Sequence, residues 1–175
     1  MITNSRNRHG HFSSELPPVL LVLFFLFVFP LMNLGTASLR YGLLATACRD
    51  GAHSAATSYT FQTGSPGKPS AVTSAPSAIT KFISNYSGIT LSDVDVDIII
   101  TNMNTQAISR SEGKLTNPAN TQDNLYALET TITGRLEPLI TYNAPYILNV
   151  PGLTGPMPVR LTAREFAESP QGLNQ

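Results

Sequence analysis

Residues 16–34 form an almost unbroken apolar run, with no polar side chain between residues 19 and 32. About twenty such residues in a helix match the roughly 30 Å hydrocarbon core of a bilayer. Three fates are open to a segment of this kind. It can cross a membrane, form the apolar core of a secretory signal, or become the buried helix of a soluble domain. A signal core is usually shorter, about 7–15 residues, and ends at small residues; Thr36-Ala37-Ser38, after Gly35, could serve as that end. A buried helix needs apolar surroundings, and nothing else in this chain is apolar enough to supply them. The length favours the span.

The flanks suggest its direction. Arg6 and Arg8, with His9 and His11, precede the run, while Arg40 is the first cation after it and Arg49 follows further on. The positive-inside rule puts the N-terminus in the cytoplasm and everything after residue 35 outside. At 175 residues the chain has room for one small domain and an anchor. Net charge is zero and only 13% of residues are charged, with no basic patch and no Trp, so a nucleic-acid partner is not expected. Cys48 is the only cysteine, which excludes an intrachain disulfide, and it reads as a small buried apolar side chain in a helix.

The periodicities predict an α+β fold. Residues 31–59 lack proline and continue the helix out of the membrane, so that residues 18–59 would make a rod of roughly 60 Å. Proline is donor-free and suits the first turn, so the Pro17-Pro18 pair marks the expected helix start, and Pro30 predicts a kink. Gly35, Gly42, Ala45, Cys48, Ala52, Ala55 and Ala56 recur largely three, four or seven apart. Small residues at such spacings admit close packing, either by a sheet of the same chain or by helices of other subunits. A Pro- and Gly-rich loop over residues 62–76 ends the rod. A short helix is expected over residues 77–86, with Ser77 as N-cap. Val94, Val96, Ile98 and Ile100 alternate with Asp93, Asp95, Asp97 and Ile99, predicting a strand whose aspartates face solvent. Residues 108–118 read as polar loop, residues 125–142 as a second strand ended or bulged at Pro138, residues 145–158 as loop, and residues 159–164 as a third strand. The tail after Glu168 should fray.

Gly10 stands five residues before Glu15, and the apolar run follows. A carboxylate at the entrance to a span is costly without water, so a chain that carries one there usually uses it. Gly followed by four residues, Glu and about twenty apolar residues resembles the processing site of type IV prepilins and their pilin-like relatives. The stretch Ala47-Cys48-Arg49-Asp50-Gly51-Ala52-His53 narrows this. It resembles the Ala-Arg-Glu-Gly-Ala-Arg helix segment of TadE-like proteins, the pseudopilin components of the tight-adherence (Tad) pilus, with Cys48 for Ala, Asp50 for Glu and His53 for the last Arg. The Pro-Gly-Leu loop before Val159-Arg160-Leu161-Thr162-Ala163 is similar to that family's final strand in outline.

The resemblance implies a leader of residues 1–10, a transmembrane and extended helix over residues 11–60, and a periplasmic α+β domain over residues 61–175. It implies an inner-membrane protein cut between Gly10 and His11 by a prepilin peptidase. The amine freed at His11 would pair with Glu15 of the same chain if that start were helical or, as the family implies, with Glu15 of a neighbouring subunit, and so couple processing to assembly. Gly35, Gly42, Ala45 and Ala52 become helix-packing positions, with Arg49, Asp50 and Gly51 the family motif. Other pilin-like subunits and the Tad assembly machinery are the implied partners.

Catalytic and cofactor signals are lacking. Asp93, Asp95 and Asp97 sit on alternate strand positions without a loop to wrap a cation, and His9, His11 and His53 have no metal-ligand spacing. No Gly-x-Ser-x-Gly elbow, phosphate loop or Cys-His pair occurs, so no enzyme and no cofactor are expected. Two function classes remain: a pilus assembly subunit, and a signal-anchored exported domain that binds a partner and never polymerises.

Overall fold

The computed structural model describes the backbone of residues 12–141 and 150–175, and the side chains of residues 16–141 and 150–175. Gly10, His11 and the side chain of Glu15 therefore lie outside the described residues, as do residues 142–149.

One long helix dominates. Helix α1 (Phe12–Leu23) passes through a π-helical turn (Phe24–Val28) into α2 (Phe29–Ala56). The rod does not start at the proline pair as expected: Pro17 and Pro18 lie inside α1. The φ that proline fixes is already helical, so each ring forgoes one backbone bond without stopping the helix. Pro30 produces its disturbance one turn earlier, where the Phe29 amide reaches back five residues to the Phe24 carbonyl. The rod stops at Ala56, and the Thr57 amide closes the last turn on the His53 carbonyl at 3.0 Å.

Helix α3 (Ala71–Ile83) packs antiparallel on α2 through Ala71, Ala75, Ile79 and Ile83, with the Ser74 hydroxyl donating to the Ser54 carbonyl at 3.0 Å. It begins six residues before the expected start and ends before Tyr86, with Ser70 rather than Ser77 at its N-cap and Pro76 inside it. Tertiary burial of the Ala71/Ala75/Ile79 stripe outweighs the single backbone bond that Pro76 removes.

The strands β1 (Ile89–Asn102), β2 (Ile108–Ser111), β3 (Asn124–Leu136) and β4 (Met157–Phe166) form one antiparallel sheet in the order β2-β1-β3-β4. The small antiparallel sheet after a long apolar helix is the α+β architecture expected, with one strand more than foreseen. That strand is β2, formed where polar loop was expected, because Ile98 to Thr101 of β1 offer an unpaired edge that residues 108–111 can bond. Strand β1 bulges at Ser92, between Leu91 and Asp93. Opposite it Gly134 is needed, since a Cβ there would lie 2.8 Å from the Thr90 carbonyl oxygen.

The inner face of the sheet (Val96 and Ile98 of β1; Leu128, Thr130, Ile132 and Leu136 of β3) covers the second half of α2 and α3. Two clusters result. Leu44, Ala47, Cys48, Ile79, Ile83, Ile132 and Leu136 lie toward the start of α2, and Ala55, Phe61, Ala71, Ala75, Ile98, Tyr126 and Leu128 toward its end. The C-terminal tail joins the second cluster and does not fray: Leu173 is buried, and the Gln62 amide donates to the Gln175 carbonyl at 2.8 Å.

Candidate functional site

The first stretch of the rod has no cover from the described residues of its own chain. From Leu16 to Phe27 every described side chain is exposed, and Leu16–Ala56 is one helix long and apolar enough to cross a membrane, with mean hydropathy 2.3 in its most apolar window. The sheet and α3 reach only the other half, so the two halves meet different surroundings.

The small residues divide between them. Cys48, Gly51, Ala52, Ala55 and Ala56 are buried by the chain's own α3 and sheet. Ala45 is half-buried beside β4. Gly35 and Gly42 are exposed, and beyond the adjoining turns of their own helix nothing described lies within 4 Å of where a Cβ would stand on either. Intramolecular packing therefore uses one end of the stripe and leaves the glycines nearest the apolar run open.

The three motif residues also take separate places. A Cβ on Gly51 would come 2.5 Å from Cδ1 and 2.6 Å from Cγ1 of the buried Ile79, so a larger residue there forces that side chain to repack. Asp50 is exposed. Arg49 is exposed too, makes no ion pair among the described residues, and lines a cleft of about 500 Å³ between α2 and β4 together with Tyr41, Ala45, Cys48 and Arg164.

On the outer face of the sheet Asp97 is not solvated as the strand alternation suggested. Asp97 and Glu129 are direct cross-strand neighbours, only 1% and 3% exposed. Two guanidinium groups make this arrangement tolerable. Arg110 from β2 donates through Nε to Asp97 Oδ2 at 3.0 Å and places Nη1 3.4 Å from Glu129 Oε1. Arg164 from β4 pairs with Glu129. The charges run plus, minus, minus, plus across all four strands. Hydrogen bonding to Asp97, and then its charge and that of Glu129, push the Arg110 pKa further up. Asp95 beside them has a raised pKa, first from desolvation and then from Asp97 and Asp93. Chemically the cluster is a neutral clasp holding edge strands to central ones. Next to it, Ile99 is buried on the same outer face, and Leu125 and Phe166 are exposed.

Cys48 is buried as expected, with Sγ donating to the Thr130 carbonyl at 3.4 Å. Burial pushes its pKa up, which leaves less thiolate to act as a nucleophile. Among the described residues no group of three His, Cys, Asp or Glu side chains could hold a metal ion.

Two features escaped the sequence reading. One is the clasp, because Arg110 and Arg164 meet Asp97 and Glu129 only once the strands are in register. The other is Asn33, the one amide inside the apolar run. It is 2% exposed, donates from Nδ2 to the Ile140 carbonyl at 2.7 Å, and accepts at Oδ1 from the Ile140 amide at 2.8 Å. A lone Asn near the end of a membrane-length segment was the available signal. No protein-family model matches this chain, and no curated protein and no solved structure matches it either.

Proposed function

We propose that this protein is a structural or assembly subunit, a minor pilin or pseudopilin, of a Tad-type pilus. Its N-terminus faces the cytoplasm, its helix crosses the inner membrane, and its sheet domain lies in the periplasm. A prepilin peptidase hydrolyses the Gly10–His11 bond, leaving a carboxylate on Gly10 and a new amine on His11. In the membrane that amine meets the Glu15 carboxylate of a neighbouring subunit, and each neutralises the other.

One observation carries most of this reading: a single helix whose first half is apolar and exposed, and whose second half is the core of the domain. The uncovered half, with Gly35 and Gly42 open at its end, is available to lipid before assembly and to like helices afterwards. The Gly10–Glu15 spacing and the Arg49-Asp50-Gly51 stretch add support from the sequence.

N-terminal sequencing of the mature protein, with and without a prepilin peptidase, tests the proposal. A chain beginning at His11 only when the peptidase is present is the expected result, with Gly10→Glu remaining uncut. An intact N-terminus in the presence of the peptidase would favour the second reading, a signal-anchored domain that binds a partner. The α2/β4 cleft, whose Arg49 makes no ion pair among the described residues, is the observation on that side.

A further inference from the structure

We propose that the domain is seated on the lipid: the irregular segments on either side of residues 142–149 rest in the outer membrane interface. This goes beyond the span and rests on it. If residues 16–35 cross the bilayer core, Gly35 marks the outer end of a stretch of about 30 Å, and Asn33 lies roughly 3 Å inside that end.

The chain leaving β3 runs down the rod toward this level. Arg40 donates to the Glu137 carbonyl, and Asn33 holds both backbone groups of Ile140. Asn33 stands seven residues before Arg40 in the helix, a rise of about 10 Å toward the apolar end. The segment from Glu137 therefore leads down the rod, bending at Leu139 and Ile140. The returning limb reaches as low: Pro151, Gly152 and Leu153 border a recess with Pro30, Asn33 and Leu34.

The chemistry of both limbs suits lipid. Between Glu137 and Arg160 the sequence carries no charged residue, and Leu139 and Val150 are exposed. Irregular backbone is tolerated at membrane depth only where its polar groups are paired. Asn33 pairs those of Ile140. The turn over residues 150–155 pairs its own, through Leu153 and Thr154 amides to the Val150 carbonyl at 3.0 and 2.9 Å and Gly152 to Gly155 at 2.8 Å. In water the same groups would need no such partners. Asn33 thus acts as a depth stop, admitting Leu139 and Ile140 to the interface and fixing how far the domain stands from it.

The test uses the full chain in a Cys48→Ala background, reconstituted in phosphatidylethanolamine–phosphatidylglycerol vesicles with part of the lipid brominated on its acyl chains. An environment-sensitive fluorophore is attached in turn at Leu139→Cys, Val150→Cys, Leu26→Cys in the rod and Asn104→Cys at the far end of the sheet. Bromolipid should quench the labels at 26, 139 and 150 and leave 104 bright. Quenching at 26 with 139 and 150 behaving like 104 would overturn the seat and spare the span. No quenching at 26 would overturn both. Blue-shifted emission at 139 and 150 without bromolipid quenching would mean that protein, not lipid, covers them, and this too overturns the proposal. Asn33→Leu makes the rod more apolar but unpairs Ile140, so the label at 139 should lose its quenching while the one at 26 keeps it. Unchanged quenching at 139 would remove Asn33 from its role as the stop.

Discussion

Burial follows opposite rules in the two regions of this molecule. In the first half of the rod Leu, Val and Phe side chains stand exposed on every side, whereas the sheet removes two adjacent carboxylates, Asp97 and Glu129, from solvent. Apolar exposure of that extent has no compensation among the described residues, and it is the observation behind the proposed span. The buried carboxylates are compensated within the chain, by Arg110 and Arg164. A residue's polarity alone does not say where it goes in this fold; its partners do.

The largest expected effect breaks that compensation. Arg110→Met leaves Asp97 buried beside Glu129 without its counterion and should cost about 3 kcal/mol or more in chemical denaturation. Asp97→Asn should cost distinctly less, because the Arg110 side chain is 42% exposed and can hydrate when its partner is gone. Equal losses for the two variants would mean the clasp is an ordinary surface pair. Next comes a pair of leucines on the one rod. Leu44→Ala, at a position 0% exposed, should lower domain stability by about 2–4 kcal/mol through the cavity it opens. Leu26→Ala, at 63% exposure, should leave the domain's unfolding midpoint unchanged. A comparable loss at Leu26 would show that the first half has a folded partner within the chain.

Two glycines sharpen the contrast at smaller scale. Gly51→Ala drives a methyl group into Ile79 and should destabilise by about 1–2 kcal/mol, net of the gain in helix propensity. Gly42→Ala meets nothing described beyond its own helix and should stabilise the isolated subunit by about 0.5–1 kcal/mol, read from its denaturation midpoint. If Gly42 packs against another subunit, the same change weakens assembly while it raises subunit stability. The smallest effect is at Asp95, whose carboxyl is more easily protonated in the folded state than its ordinary pKa of 3.8. The folded state binds that proton more tightly, so stability falls as pH rises from 3.8 through the raised value and then levels off. Asp95→Asn should therefore gain at most about 0.5 kcal/mol at pH 7, and the gain should vanish below the ordinary pKa. Denaturation midpoints measured across that range check it, and a gain that grew toward acid would reverse the sign.

Elements with a strong period were legible from the sequence: the apolar rod, the alternating strands around Ile98 and Ile132, and the buried Cys48 are set by residues close to one another in the chain. Local signals failed where a distant segment decided the outcome. Pro76 reads as a loop residue until Ile79 and Ala75 are seen packed on α2, and residues 108–111 read as loop until β1 offers them an edge. Asp97 reads as solvated because alternation gives only the side of a strand, and not what the neighbouring strands lay over it. By itself the sequence determined that a membrane-length helix precedes a small α+β domain, since length and apolar periodicity are local quantities. Only the tertiary structure decided that Gly51 sits against Ile79, that Asp97 and Glu129 are clasped by Arg110 and Arg164, and that Asn33 holds Ile140. Each of those is a meeting of residues far apart in the chain, and the packing that brings them together is also what makes a buried charge or an unpaired amide tolerable.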